Sequence, residues 1–156
     1  MFELDIPGFG PVQLEHLVSD YTGTLSVDGK LLPGVKERLN SVAEFLKVHI
    51  LTADTFGMAR TELEGVNCEI HILEGENHDV QKEKYVGRLG PKNVVALGNG
   101  NNDRRMLQAA RVGVVVCLQE GCAVDSFTAA DIIVTSTTDG LDLFLHTNRL
   151  KATLRF

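Results

Sequence analysis

Short apolar runs alternate with longer amphipathic stretches along almost the whole chain. Leu14 to Ser19, Leu46 to Leu51, Glu69 to Leu73, Asn93 to Leu97, Val112 to Val116 and Asp131 to Thr135 are predicted strands, rich in Val, Ile and Leu. Two of them, carrying VVAL and VGVVV, are apolar at consecutive positions. Continuous runs of this kind are buried on both faces, as in a parallel sheet covered by helices. Between the strands, Pro33 to Glu44 is a predicted helix with proline in its first turn and Val35, Leu39 and Val42 on one face. Thr55 to Leu63 follows Asp54, a good N-cap, and Asp79 to Leu89 stops at Gly90-Pro91. Asp103 to Ala110, roughly Cys122 to Ala130, and a shorter Leu141 to His146 complete the series. Strand and helix in alternation predict right-handed βαβ units and a doubly wound α/β sheet.

Length and composition narrow the class. A chain of 156 residues holds one sizeable core, so residues 1–156 are expected to form one domain. Its core would span about 12–145, and 147–156 would be a tail that could fray, add a strand or make an oligomer contact. Lys+Arg 15 against Asp+Glu 21 gives a net charge of −6, which lacks the basic footprint of nucleic-acid binding. No apolar run approaches a membrane span. Met1 to Gly10, with two acids and two glycines, does not read as a signal peptide. Cys68, Cys117 and Cys122 are odd in number and lack CxxC spacing. That argues against a disulfide framework or structural zinc, and for a reducing, cytoplasmic setting. Cys117 reads as a buried small hydrophobe.

In an open parallel sheet, ligands bind beyond the carboxyl ends of the strands, where strand order reverses. The residues that follow the apolar runs are therefore the informative ones. After the first comes Ser19-Asp20-Tyr21-Thr22-Gly23-Thr24-Leu25, a carboxylate followed by hydroxyls and a glycine. After the second come Thr52, Ala53 and Asp54, and the third predicted helix opens Val80-Gln81-Lys82. After the fourth comes Gly98-Asn99-Gly100-Asn101-Asn102-Asp103, a glycine-rich turn bearing amides and one carboxylate. A nucleophilic carboxylate, a hydroxyl, a lysine and an oxygen-rich loop are the parts of aspartyl-phosphate chemistry, with Mg²⁺ neutralising the crowded charge. The histidines, His16, His49, His71, His78 and His146, lack metal-ligand spacing and read as surface or strand residues.

Four such motifs in this order resemble the haloacid dehalogenase superfamily of phosphohydrolases, and most closely the phosphorylation domain of the P-type ATPases. Asp20 to Leu25 is similar to DKTGTL, Thr52-Ala53-Asp54 to TGD, Gln81-Lys82 to the xQK helix start, and Gly98 to Asp103 to GDGxND. Ala109 to Val114 and Ala129 to Val134 resemble the ATPases' closing pattern. The resemblance implies a Rossmann-like core and a Mg²⁺-dependent phosphohydrolase, and the intervals between the motifs leave no room for a cap domain. Asp20 would be the nucleophile. Thr52 and Lys82 would grip the phosphoryl group, with Tyr21 and Ala53 beside them. Asp20, the Thr22 carbonyl, Asn99 and Asp103 would hold Mg²⁺. Arg104 and Arg105 could meet a substrate anion, though a solvated helix face is the simpler reading.

Two positions depart from the pattern. Thr22 stands where most superfamily phosphatases have a general acid and base, worth about 10²–10⁴-fold in rate, so slow turnover is expected. Asn99 stands where a Mg²⁺-binding Asp is usual. The rival reading is a non-catalytic or regulatory module that keeps phosphate or Mg²⁺ binding. The intervals between motifs leave room only for a small flap over Thr24 to Leu32, turning at Asp28-Gly29. An open site implies a phosphorylated small molecule or macromolecule as partner, without nucleic acid or membrane, and is compatible with a homo-oligomer. If Asn99 lies in the metal shell, Asn99→Asp lowers the Mg²⁺ concentration for half-maximal activity; an unchanged requirement places it outside.

Overall fold

A computed structural model describes all 156 residues. The chain opens with an antiparallel hairpin, β1 (Phe2–Ile6) and β2 (Gly10–Leu14), that the sequence analysis did not anticipate. Strand β3 (His16–Asp20) follows, then a flap of β4 (Ser26–Val27) and β5 (Lys30–Leu31). Next come helix α1 (Val35–Val42), β6 (Lys47–Thr52), the single turn α2 (Ala59–Glu62) and β7 (Glu69–Ile72). Helix α3 (His78–Leu89), β8 (Val94–Gly98), α4 (Arg104–Ala109) and β9 (Val112–Val116) continue the alternation. The chain closes with α5 (Val124–Ala129), β10 (Ile132–Val134), α6 (Thr137–Leu145) and α7 (Thr147–Leu154). No helix is long and apolar enough to cross a membrane.

Six strands form one sheet in the order β10-β9-β8-β3-β6-β7, with every pairing parallel. The chain runs outward from β3 through β6 to β7, then returns to β8 and runs outward the other way. Strand order therefore reverses beside β3, and ligands bind at the carboxyl ends there. β8 and β9 are buried at every position, as their continuous apolar runs require. Leu17, Ile50, Val95, Leu97 and Val114 face one apolar cluster shared with α1, α6, α7 and the hairpin. Val18, Leu51, Ala96 and Val115 face the other, against Val86 of α3 and Met106 and Leu107 of α4.

The flap forms as expected. Ser26 pairs with Leu31, and Asp28 (φ 52°) and Gly29 (φ 83°) supply the two left-handed residues of a tight hairpin turn. Other expectations need correction. The helix expected over Thr55 to Leu63 shrinks to α2, because Gly57 adopts φ 66° and interrupts its first turn. The expectation of unpaired thiols also fails, since Cys117 and Cys122 form a disulfide. A turn at Gly121 (φ 78°) folds the segment after β9 back and brings their Cα atoms to 5.0 Å, inside the normal bridging range.

The tail is neither frayed nor a strand. It forms α7, with Leu150 and Leu154 packed into the main core, and Phe156 donates its N–H to the Pro7 carbonyl in the hairpin turn. Leu150 is fully buried. Leu150→Ala should therefore cost about 2–5 kcal/mol in chemical denaturation. A loss below roughly 0.5 kcal/mol, typical of surface positions, would mean α7 does not dock.

Candidate active site

Asp20 is the last residue of β3, beside the point where strand order reverses. Past it the chain must turn at once. The Tyr21 carbonyl accepts the N–H groups of Thr24, Leu25 and Ser26 together with the Ser26 hydroxyl, winding the loop around one oxygen. Gly23 is required twice over. Its φ is 78°, and a Cβ there would come within 2.5 Å of the Asn99 side chain. The loop after β3 and the turn after β8 are thus pressed together.

That turn is closed by Asp103, whose Oδ2 accepts the N–H groups of Asn99 at 2.9 Å and Gly100 at 3.0 Å. Gly98 permits the approach, since a Cβ there would lie 2.5 Å from the Asp103 side chain. Ser126 of α5 closes the turn from outside, donating its hydroxyl to the Gly100 carbonyl. The other Asp103 oxygen, Oδ1, accepts from Lys82 Nζ at 2.7 Å.

Lys82 is the centre of the site. It lies in the second turn of α3, its side chain is 1% exposed, and it reaches Asp20 Oδ1 at 2.9 Å as well as Asp103. It also donates to Asn102 Oδ1 at 3.2 Å. Burial opposes its charge, but the two carboxylates outweigh burial and hold Lys82 above its ordinary pKa. Burial and the neighbouring Asp103 push Asp20 up to about 7, while Lys82 pulls it back. Two buried carboxylates share one ammonium, so the cluster favours further positive charge.

Thr24 links this cluster to the turn, its hydroxyl lying 3.4 Å from Asp20 Oδ2 and 3.1 Å from Asn99 Oδ1. The Asn99 amide also donates to the Gly121 carbonyl at 3.1 Å. Thr22 opens the flap through a bridge to Ser26, and the buried Tyr21 hydroxyl donates to the Gly29 carbonyl at 2.7 Å, pinning the flap. Thr52 is buried at the end of β6, one position past the register partner of Asp20, with exposed Ala53 next to it. Its hydroxyl accepts the Asp54 N–H at 2.9 Å and is not bonded to the carboxylate–lysine cluster. Asp54, at φ 52°, caps α2 by accepting the N–H groups of Met58 and Ala59.

Of the expected site residues, the fold brings Asp20, Lys82 and Asp103 into direct contact, and ties Asn99 to Asp103 by its backbone N–H and to Asp20 through the Thr24 hydroxyl. Thr22, Thr52 and Ala53 line the same strand ends without bonding to that cluster, while the Tyr21 backbone N–H adjoins the Asp20 carboxylate. Thr24 and Asn102 were not singled out from the sequence. Their signal was present in the second threonine of the first motif and in the paired amides of the fourth. Arg105 is occupied by Asp79 at 3.1 Å and Glu83 at 3.0 Å, so the solvated-face reading fits it better than anion recognition.

The architecture is shared with known proteins. The 3-deoxy-D-manno-octulosonate 8-phosphate phosphatase of Moraxella catarrhalis, in complex with magnesium, phosphate and KDO, matches with TM-score 0.70 at 16% identity, over 92% of this chain and 95% of that one. The cobalt-bound deoxy-D-mannose-octulosonate 8-phosphate phosphatase of Haemophilus influenzae matches with TM-score 0.72 at 11% identity, over 92% and 94%. The catalytic domain of the CPx-ATPase CopB-B matches with TM-score 0.56 at 25% identity, over 78% of this chain and 46% of that one. The chain thus shares the parallel α/β fold of these phosphatases, with the strand-end motifs at the same edge of the sheet. In sequence it is 45% identical over 64 residues to uncharacterized protein MJ0073 of Methanocaldococcus jannaschii, a match spanning 41% of this chain and 69% of that one. Uncharacterized protein MJ0072 of the same organism is 46% identical over 39 residues, 25% of this chain and 89% of that one. No family model matches the chain.

The shifted Asp20 predicts a pH signature. An unfolded Asp titrates near 3.9, and folded Asp20 near 7. Between those values the folded state holds the extra proton, so stability falls as pH rises through the window. Asp20→Asn removes that loss and leaves Lys82 paired with Asp103. With a chelator present, the Tm advantage of Asp20→Asn should grow from about pH 4 to 7, by about 2–4 °C for each kcal/mol relieved. A difference that is constant with pH contradicts the assignment.

Proposed function

We propose that the protein is a Mg²⁺-dependent phosphohydrolase acting through a phosphorylated Asp20. The observation that carries this reading is the Asp20 carboxylate at the end of the central strand, held by a buried lysine shared with Asp103. The magnesium, phosphate and cobalt named for the structural neighbours support it. A hard divalent cation suits the donor set, because two carboxylates share only one buried ammonium and the lone-pair donors around them are oxygens. Asp20, Asp103, the Thr22 carbonyl and Asn99 would hold it, and Mg²⁺ would neutralise charge on the phosphoryl oxygens.

In the first step an Asp20 carboxylate oxygen bonds to phosphorus while the bond from phosphorus to the leaving oxygen breaks. The electron pair goes to that oxygen, which takes its proton from water because Thr22 carries no acid. In the second step water bonds to phosphorus, the Asp20–phosphorus bond breaks, and inorganic phosphate leaves with the carboxylate restored. Lys82 keeps Asp20 oriented and balances the phosphoryl charge in both steps. Thr52, at the neighbouring strand end, would contact a phosphoryl oxygen. Lacking an acid and base at Thr22, turnover is slow and the phosphoenzyme long-lived.

Access supports a broad substrate class. Only the small flap of β4 and β5 overhangs the site, and an open polar hollow of about 450 Å³, lined by His78, Asp79, Asn101, Asn102 and Arg104, lies beside Lys82. Phosphomonoesters on small molecules or exposed on macromolecules fit such an opening.

Hydrolysis of an aryl phosphate with Mg²⁺ tests the reading. Asp20→Asn should lose about 10³-fold or more, and Lys82→Ala about 10²–10³-fold. Beryllofluoride should bind the wild type and not Asp20→Asn. Hydrolysis no greater than that of Asp20→Asn, with or without Mg²⁺, rejects the enzyme reading. Beryllofluoride binding without turnover favours the non-catalytic phosphate-binding alternative.

A further inference from the structure

Strand register assembles a second polar cluster on the α3 side of the sheet, near the edge formed by β7. His49 of β6 pairs with Glu69 of β7, and Leu51 pairs with His71, so His49, Glu69 and His71 point to one face. Their ligand atoms all lie within 4.8 Å of one another. Glu69 Oε2 is 3.5 Å from His49 Nδ1 and 3.8 Å from His71 Nε2. Tyr85 of α3 hangs over them, its hydroxyl 2.8 Å from His49 Nδ1 and 2.7 Å from His71 Nε2. Nothing in the phosphohydrolase mechanism uses these groups.

We propose that His49 Nδ1, His71 Nε2 and Glu69 Oε2 form a binding site for a divalent first-row transition metal of the zinc class, with the Tyr85 hydroxyl as its fourth neighbour. Imidazole nitrogens and a carboxylate are the donors such ions select, whereas Mg²⁺ prefers oxygen alone. A tetrahedral ion about 2.1 Å from each donor sets donor–donor edges of roughly 3.4 Å. The two carboxylate–imidazole separations meet that value with shifts of a few tenths of an ångström, and the two imidazoles, within 4.8 Å of each other, must draw together. The tyrosine oxygen, closer than one edge, needs only to move outward.

The surroundings orient the donors. His49 is 1% exposed, and its far nitrogen Nε2 faces His16 Nδ1 at 3.1 Å. With the His49 proton on Nε2, donated to His16, the Nδ1 lone pair points toward Glu69 and His71. Ligating histidines are commonly fixed by such a bond on the far nitrogen. Burial also depresses the His49 pKa to about 4, so its ring is neutral. Lys47 holds Glu69 Oε1 at 2.8 Å and leaves Oε2 turned to the imidazoles. Glu69 and His71 are both more than two-fifths exposed, which gives the ion a way in.

The site would clamp α3 to β6 and β7, which already pair with each other in the sheet. β7 is the edge strand, β6 ends in Thr52, and α3 carries Lys82 one turn before Tyr85. Metal binding therefore raises the stability of the half of the sheet that holds the phosphate-gripping residues.

Zn²⁺ titration of the whole protein, by calorimetry and by the fluorescence of its two tyrosines, tests the proposal. Excess Mg²⁺ competes with Zn²⁺ for the catalytic carboxylates. One equivalent should bind with micromolar affinity or better, change the tyrosine signal and raise the Tm. His71→Ala and Glu69→Gln, both at exposed side chains, should each weaken binding at least tenfold. Co²⁺ should give the visible absorption of a tetrahedral nitrogen–oxygen site, lost in His71→Ala. Asp103→Asn should leave Zn²⁺ affinity unchanged. No binding, binding unaffected by His71→Ala, or binding lost in Asp103→Asn overturns the proposal, the last because the ion would then occupy the catalytic centre. None of these results depends on whether Asp20 turns over a phosphate ester.

Discussion

A lysine ammonium buried between two carboxylates organises this molecule. Lys82 reaches Asp20 on one side and Asp103 on the other with almost no solvent around it. Such a group is costly to bury and is stable only while it stays paired. That constraint reaches outward through three elements. α3 must dock so that its second turn meets the end of β3. The turn after β8 must curl so that the two N–H groups of Asn99 and Gly100 hold Asp103. The loop after β3 must pass close enough that Gly23 touches Asn99. Two glycines without room for a Cβ and one aspartate with both oxygens engaged are the local consequences of one electrostatic centre.

The same centre sets the chemistry. Burial first, and then the neighbouring Asp103, raise Asp20, and two carboxylates against one ammonium suit a divalent cation. On the proposed reading a phosphoryl group would bring more negative charge, and the site would balance only with the cation bound. The flap contributes less. Tyr21 anchors it through the Gly29 carbonyl, and its two short strands cannot seal the opening.

The central strands were legible in the sequence because they are fully buried. VVAL and VGVVV lie on both-sided strands β8 and β9, so hydropathy alone finds them. The strand-end residues were legible because the topology of a parallel sheet dictates where to look. The first hairpin was missed although Phe2, Leu4 and Ile6 alternate with Glu3 and Asp5, because five residues of alternation beside glycines and acids make a weak signal. The short α7 was missed for a related reason, since two apolar contacts, Leu150 and Leu154, carry its docking. The Cys117–Cys122 bridge depends on a loop reversal that spacing does not reveal. Lys82 could be named from its motif, but its sharing between Asp20 and Asp103 is a long-range fact. The gathering of His49, Glu69 and His71 is likewise set by the β6–β7 register, which no local pattern encodes.

The central claim is that the Asp20 carboxylate, held by Lys82, is the atom group that bonds to phosphorus. Direct chemical trapping tests it. The protein is incubated with Mg²⁺ and a reactive phosphodonor, quenched in acid, reduced with borohydride and mapped by mass spectrometry. Reduction of an acyl phosphate leaves homoserine, and the account predicts homoserine at position 20 and at no other aspartate. Homoserine at Asp54 or Asp103, or turnover of the donor with Asp20 unmodified in every quench, would contradict it.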